Sequence, residues 1–403
     1  MSAADPKLVT ESETDERLSR FRLIPWWNQE KISATRVLVI GAGALGNEVL
    51  KNLALLGFRQ IVVVDMDRIE ASNLSRAVLL RDQDIGSFKA EAVAASMRGM
   101  SSDLQVKPLV ANVMYQCGLG LFRWSDIIIA GLDNREARLW INRAAWKTNR
   151  PWIDGAIEGI NGVARVFLPG LVPCYECTLG ETDWAMLERR MSCNLLTREA
   201  NTAGKIPTTP TISSIIAGIQ VQEAVKLIHG LPTLAGRGFV FEGLNHTSYV
   251  VDYTENGSCM SHYTLEKLVP LPFRSDELTL QQLWERACAD FQSAEVVLEF
   301  SRDILQSLTC PKCHMSKEVF APVGTVGVED GVCPADGHMM TVTTLHGYSG
   351  PSPVGGRRLS DLGLPLFDIF TARMGADEIG YVVTGDQEAV LGALAPKDAH
   401  QNG

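Results

Sequence analysis

RVLVIGAGALGNEVLKNLALLGFRQIVVVD, residues 36–65, reads as a buried strand, a glycine-rich turn, a helix and a second buried strand. The first apolar run is β-branched and stops at Gly41, as a strand covered on both faces does. "NEVLKNLALLG" carries apolar residues at helical spacing and ends at Gly57. Between them, Gly41, Gly43 and Gly46 form a G-x-G-x-x-G turn. Glycines let backbone approach a phosphate, and the helix N-terminus beyond offers N–H groups and a favourable dipole. Asp65 closes the second strand, where a carboxylate can accept ribose hydroxyls.

The alternation continues outward. "KAEAVAASMRGM" predicts a helix, "LQVKPLV" and "SDIIIAG" strands, "NREARLWINRAAWKT" a helix and "PWIDGAI" a strand. The expected fold is α/β: a Rossmann-like, doubly wound, mainly parallel sheet with helices on both faces. From "NGVARVFLPG" the pattern turns to hairpins, and residues 180–212 read as a long polar connection. "TISSIIAGIQVQEAVKLIHG" predicts a core helix closed by Gly230, followed by strands over 236–254. The expected division is a disordered terminus at 1–16, a nucleotide-binding domain at 17–260 and a smaller α+β region at 261–395. Residues 396–403 are expected to be a disordered tail.

With 403 residues, 46% of them hydrophobic, the chain can build two or three cores. A formal net charge of -10 argues against nucleic acid as a partner, since phosphates need a basic face. No apolar segment approaches the roughly 20 residues that span a bilayer, and the polar, acidic start has no secretory pattern. The expectation is a cytoplasmic protein without a membrane partner.

The residues after Asp65 narrow the chemistry. "DMDRIEASNLSR" places Asp67, Asn73 and Arg76 just beyond the ribose position, and Lys89 comes next in "GSFKAEAV". Hydride transfer needs no such cluster. Breaking a triphosphate does, because cations must neutralise the departing pyrophosphate. Asp133, in "GLDNREAR", stands just past a buried strand, where a carboxylate suits Mg²⁺ held against phosphates.

"VLVIGAGALG", "VVVDMDRIEASNLSR", "IGSFKAEA" and "GLDNREAR" together resemble the adenylation domain of ubiquitin-activating enzymes and of the ThiF-type activators of sulfur carriers for molybdopterin synthase and thiamine. The resemblance covers roughly residues 15–255. It implies ATP and Mg²⁺ as cofactors, with Asp65 on the ribose, Asn73, Arg76 and Lys89 on the phosphates and Asp133 on Mg²⁺. It also implies a homodimer, because "RLSR" resembles a segment whose arginine, Arg20 here, reaches into the partner subunit's site. Phe21 stands where the family usually has glutamine, and the tryptophans of "IPWWNQEKI" are unusual for it.

Two C-x-x-C pairs, Cys174/Cys177 and Cys310/Cys313, have the spacing that puts two thiolates on one tetrahedral ion. Together they predict one structural four-cysteine zinc site that pins the C-terminal region to the first domain, as in related activating enzymes. A competing arrangement joins Cys310, Cys313 and Cys333 with Asp336 or His338 of "CPADGH". Cys117, Cys259 and Cys288 read as packing residues.

Cys193, in "LERRMSCNLLTREANT", lies in the connection where members of this family carry a catalytic or sulfur-handling cysteine. Arg189, Arg190 and Arg198 favour its thiolate. The expected function is adenylation of the C-terminal glycine carboxylate of a ubiquitin-like protein, thioester formation on Cys193 and hand-over to a conjugating enzyme. The C-terminal region resembles that of the activating component of bacterial ubiquitin-like conjugation operons, some tied to antiviral defence. A sulfur-carrier adenylyltransferase and a non-catalytic scaffold subunit are the alternatives.

Overall fold

The computed structural model describes residues 16–191 and 207–396. Five parallel strands start the sheet: β1 (Arg36–Ile40), β2 (Gln60–Val64), β3 (Gln105–Leu109), β4 (Ile127–Gly131) and β5 (Trp152–Glu158). β6 (Asn161–Phe167), β7 (Arg237–Glu242) and β8 (Thr247–Asp252) extend it antiparallel. The strand order is β3-β2-β1-β4-β5-β6-β7-β8, so the winding reverses between β1 and β4. Ligands in open α/β sheets collect at the carboxyl ends of the strands beside such a reversal.

The helices are α1 (Gln29–Ala34), α2 (Ala44–Leu55), α3 (Lys89–Met100), α4 (Val113–Gln116), α5 (Leu119–Trp124), α6 (Arg135–Lys147), α7 (Glu181–Met191) and α8 (Pro210–His229). One core joins α2, α3 and α8 to one face of the sheet through Leu50, Val93 and Ile216. The other face is covered by α5 and α6 through Phe122 and Ile141. The predicted helix ending at Gly230 is present, with that glycine left-handed at the cap. The tryptophan-rich segment also has a structural role: Trp26 and Trp27 lie against the His229 ring, fixing the N-terminal segment to the end of α8.

The start of the predicted polar connection at 180–212 is a helix over Glu181–Met191. α7 occupies the first part, with Leu187 buried and Trp184 packed beside it at helical spacing. An ion pair of 2.7 Å between Asp183 and Arg135 ties α7 to α6. Cys193 and Arg198 lie outside the described residues, and so do the polar ends at 1–15 and 397–403.

The C-terminal region has its own sheet, built from β9 (Leu268–Leu271), β10 (Val297–Thr309), β11 (Ser316–Pro322), β12 (Thr341–Tyr348), β13 (Ile369–Met374) and β14 (Asp377–Val383). Its order is β11-β10-β13-β14-β9, with β12 paired to β10. α9 (Leu280–Phe291) packs on it, and α10 (Gln387–Leu391) follows β14. The region docks on the α4–α5 side, where Ile369, Val382 and Leu391 share a core with Ile40 and Trp124. Buried Arg302 donates to the carbonyls of Met114 and Cys117, and Asp368 accepts from Leu119 N–H at 2.7 Å. Cys117 is a packing residue, as expected, and burial pushes its thiol up to about 12. Among the described residues no helix is long and apolar enough to cross a membrane.

Candidate active site

The β1–α2 turn opens on a cleft of about 1030 Å³ at the winding reversal. Gly41, Gly43, Asp65, Asp67, Asn73, Arg76, Lys89 and Asp133 all line it. The fold thus gathers residues from the ends of β1, β2 and β4 and from the start of α3.

Asp65 anchors the turn. Its carboxylate accepts N–H bonds from Ala42 at 2.7 Å and Asp67 at 2.8 Å, which fixes the chain on either side of it. A carboxylate has about four acceptor positions, so two oxygens used this way still accept ribose hydroxyls. Burial pushes Asp65 above the ordinary aspartate range, against the pull of the Ala42 N–H and the Lys89 ammonium. Lys89 pairs with Asp67 at 2.7 Å, and Arg76 is folded back on the Ser72 carbonyl at 2.8 Å. Both cations are held by exposed partners that a phosphate can displace. Asn73 accepts from the Glu70 N–H, closing a single turn of 3-10 helix. Asp133 is exposed, one residue before the Asn134 cap of α6.

Two glycines of the turn do different jobs. A Cβ on Gly46 would lie 1.9 Å from the Gly41 carbonyl oxygen, so α2 packs against its own entry turn only with glycine there. A Cβ on Gly43 meets nothing within 4 Å; it would project into open space at the N-terminus of α2. Gly46→Ala is therefore expected to cost about 1–3 kcal/mol of stability by overpacking. Gly43→Ala is expected to keep the melting temperature and lose nucleotide affinity. Thermal melts with and without ATP check both, and equal loss of stability in the two variants would refute the distinction.

A buried ion cluster floors the cleft and was not foreseen from the sequence. Asp154 is fully buried in β5 and accepts from Arg138 Nε and Arg165 Nε, each at 2.9 Å. Both arginines also line the cleft. The available signal was an aspartate inside an otherwise apolar strand, which is seldom buried without a partner.

The cysteine pairs are not brought together, which corrects the predicted four-cysteine site. Cys174 and Cys177 meet Cys259 and His262; Cys310 and Cys313 meet Cys333 and Asp336. The physical reason is β10, whose 13 residues carry Cys310 to the far end of the C-terminal sheet, roughly 40 Å of strand. Cys259 is thus a candidate ligand and not a packing residue, and the C-x-x-H spacing of "CMSH" was its missed signal.

In the first group, Cys174 Sγ lies 3.8 Å from Cys177 Sγ and 3.6 Å from Cys259 Sγ, and Cys177 Sγ is 3.3 Å from His262 Nε2. Tetrahedral zinc with bonds of about 2.3 Å to sulfur and 2.0 Å to nitrogen requires edges of about 3.5–3.8 Å, so the donor set fits. Asn142 Nδ2 donates to Cys174 Sγ at 3.4 Å, and Ser261 Oγ donates to Glu176, which also pairs with Arg143. Cys174 and Cys177 come from the segment after β6, and Cys259 and His262 from the connection between β8 and β9, where the first part of the chain leads into the C-terminal region.

Arg20 is exposed in a 3-10 helix (Glu16–Leu23) and does not line the cleft of its own chain.

The ThiF family profile matches residues 15–260, more than half of the chain. The chain belongs to the ThiF family. It is 32% identical over 236 residues to the SAMP-activating enzyme E1 of Haloferax volcanii, covering 57% of this chain and 81% of that protein. It is 43% identical over 157 residues to the NEDD8-activating enzyme E1 catalytic subunit of Arabidopsis thaliana, covering 36% of this chain and 34% of that protein. The chain thus spans about a third of the length of this NEDD8-activating subunit. The crystal structure of E. coli MccB with ATP superposes with a TM-score of 0.51 at 21% identity, covering 62% of this chain and 74% of that one, a likeness of fold.

Proposed function

We propose that this ThiF-family chain uses ATP and Mg²⁺ to adenylate the C-terminal carboxylate of a ubiquitin-like protein. The observation that carries this reading is the convergence of Asp65, Asn73, Arg76, Lys89 and Asp133 on one cleft beside the glycine turn. A scaffold subunit has no use for that set. The cleft also runs on past the nucleotide position along β6 and β7 to Asn161, Phe241 and Leu244. Its volume is at or above the upper end of ordinary small-ligand pockets, about 1,000 Å³, which leaves room for an extended peptide tail.

In this mechanism a carboxylate oxygen of the tail attacks the α-phosphorus of ATP in line, and the bond to pyrophosphate breaks. Asp65 holds the ribose, while the α2 N-terminus, Asn73, Arg76 and Lys89 stabilise the charge that develops on the phosphates. Mg²⁺ held by Asp133 would neutralise the same charge. Arg20 of the partner subunit completes the site in a homodimer, consistent with its exposure outside its own cleft.

Cys193 then attacks the acyl-adenylate through Sγ, forming a thioester and releasing AMP. It follows α7, whose Asp183 lines the cleft. The product passes to a conjugating enzyme, in a cytoplasmic pathway of the kind tied to antiviral defence. The first cysteine group holds structural zinc, so that metal binding stabilises the join between the two parts of the chain.

The test mixes enzyme, ATP, Mg²⁺ and a candidate ubiquitin-like protein and resolves the products on non-reducing gels. A reducible adduct absent from Cys193→Ala, with pyrophosphate release retained, is the expected result. Pyrophosphate release without any adduct would instead favour the sulfur-carrier type of adenylyltransferase.

A further inference from the structure

The second cysteine group lies apart from the ThiF domain, at the tip of the β10–β11 hairpin and the start of β12. Its two halves are copies of one turn. Cys310-Pro-Lys-Cys313-His314-Met315 closes with Cys310 N–H on the Met315 carbonyl at 2.8 Å and His314 N–H on the Cys310 carbonyl at 3.1 Å. Cys333-Pro-Ala-Asp336-Gly337-His338 closes with Cys333 N–H on the His338 carbonyl at 2.8 Å and Gly337 N–H on the Cys333 carbonyl at 2.9 Å. The fifth residue of each turn, His314 or Gly337, has positive φ. Asp336 therefore occupies, in the second turn, the position that Cys313 holds in the first.

The donor atoms of the two turns face one another. Cys313 Sγ and Cys333 Sγ are 3.5 Å apart, and Cys310 Sγ lies 3.4 and 3.5 Å from the two Asp336 oxygens. All four ligand positions fall within 4.8 Å of one another. A tetrahedral ion with bonds of about 2.3 Å to sulfur and 2.0–2.2 Å to a carboxylate oxygen requires sulfur–oxygen edges of about 3.5 Å. His338 keeps the carboxylate in place, its N–H donating to Asp336 Oδ1 at 3.1 Å.

The surroundings need such a staple. Residues 323–340 connect β11 to β12 with one 3-10 turn (Glu329–Gly331) and an isolated bridge between Val332 and Met339. Loops of that length in compact domains hold a single conformation only when something ties them down. The core beneath is small, with six buried residues, of which Cys310 and Cys333 are two.

The geometry points to a second metal site, in which Cys310, Cys313, Cys333 and Asp336 hold one divalent ion of the zinc class independently of Cys174, Cys177, Cys259 and His262. The ion would close the tip of the C-terminal sheet, and the turn symmetry assigns Asp336 as the fourth ligand in place of a cysteine.

Metal content of the full chain tests this, by elemental analysis after gel filtration in reducing buffer. Wild type is expected to carry two zinc ions per chain, Cys310→Ser/Cys333→Ser one, and Cys174→Ser/Cys259→Ser one. Titration of the wild type with a chelator is expected to withdraw the ions in two steps. Asp336→Ala should weaken one step by at least roughly tenfold, since even the outer partners of metal ligands matter that much, and Asp336→Cys should restore or strengthen it. A single zinc ion in the wild type that survives the Cys310→Ser/Cys333→Ser change would overturn the site. So would a Cys313–Cys333 disulfide in the freshly purified chain, read by intact mass. An Asp336→Ala variant with unchanged chelator competition would remove Asp336 from the ligand set and overturn the four-ligand assignment.

Discussion

Asp133→Ala is expected to abolish partner-dependent exchange of pyrophosphate into ATP, lowering its rate by at least about 10²–10³-fold, the scale of losing one electrostatic contact to a transition state. The reason lies in the sheet. β4 runs parallel beside β1, so its carboxyl end delivers Asp133 to the same edge as the Gly41 turn, at the winding reversal. Asp133 lines the cleft but is exposed, and α6 is capped by Asn134, whose side chain accepts from the Ala137 N–H at 2.7 Å. Removing Asp133 thus leaves the cap intact, and the melting temperature is expected to hold within the usual range of surface changes, about 0.5 kcal/mol. Pyrophosphate exchange is measured with wild-type and variant enzyme at matched concentration, over a range of Mg²⁺. Exchange persisting at a rate within a few fold of wild type would remove Asp133 from the site and, with it, the main support for the metal-assisted reading. Partial rescue at high Mg²⁺ would be in keeping with a ligand role, because a weakened site fills by mass action.

The parallel core and the nucleotide edge were legible because each depends on local pattern. Continuous β-branched runs identify strands buried on both faces, and a glycine turn between strand and helix places a binding edge without knowledge of the rest. Asp65, Asn73, Arg76, Lys89 and Asp133 follow closely after such elements, and the fold delivers them to one cleft. The partners of Cys310 and Cys313 were legible in "CPADGH" as the competing arrangement with Cys333 and Asp336, whereas Cys259 and His262 as partners of Cys174 and Cys177 were not. Which pair joins which depends on the course of β10, and nothing local in "CPKC" tells that it is carried away from "PCYEC". The start of the 180–212 segment has too short an apolar side to announce a helix, yet Trp184 and Leu187 find cover on the α6 side. Tertiary cover decides such marginal helices. Asp154 was missed for the converse reason: strand patterning reports burial and says nothing of the two arginines, one from α6 and one from β6, that make burial of a carboxylate tolerable.

Asp154→Asn is expected to cost about 3–5 kcal/mol, the usual penalty for breaking a buried ion pair and leaving its partner charged. Asp154 is 0% exposed, with Arg138 on one oxygen and Arg165 on the other, so the change strands two guanidinium groups. The pH dependence follows from the same contacts. Burial opposes ionisation of Asp154, yet the charges of Arg165 and Arg138 hold its carboxyl below the ordinary aspartate range. A depressed value in the folded chain gives stability that is complete above the unfolded value of about 3.9 and is lost as pH falls through the lower folded value. The gap between wild type and variant should therefore be constant from neutral pH to about pH 5 and narrow only under stronger acid. Denaturant unfolding across that range measures it, and a gap below about 1 kcal/mol at pH 7 would mean that the pair contributes little. Activity should fall with stability for a separate reason: Arg138 and Arg165 border the cleft, and without Asp154 their charges are left uncompensated beside the position of the nucleotide phosphates. A variant that binds ATP as tightly as wild type, or more tightly, yet exchanges pyrophosphate more slowly would identify Asp154 as the group that keeps ground-state binding from exceeding binding of the transition state.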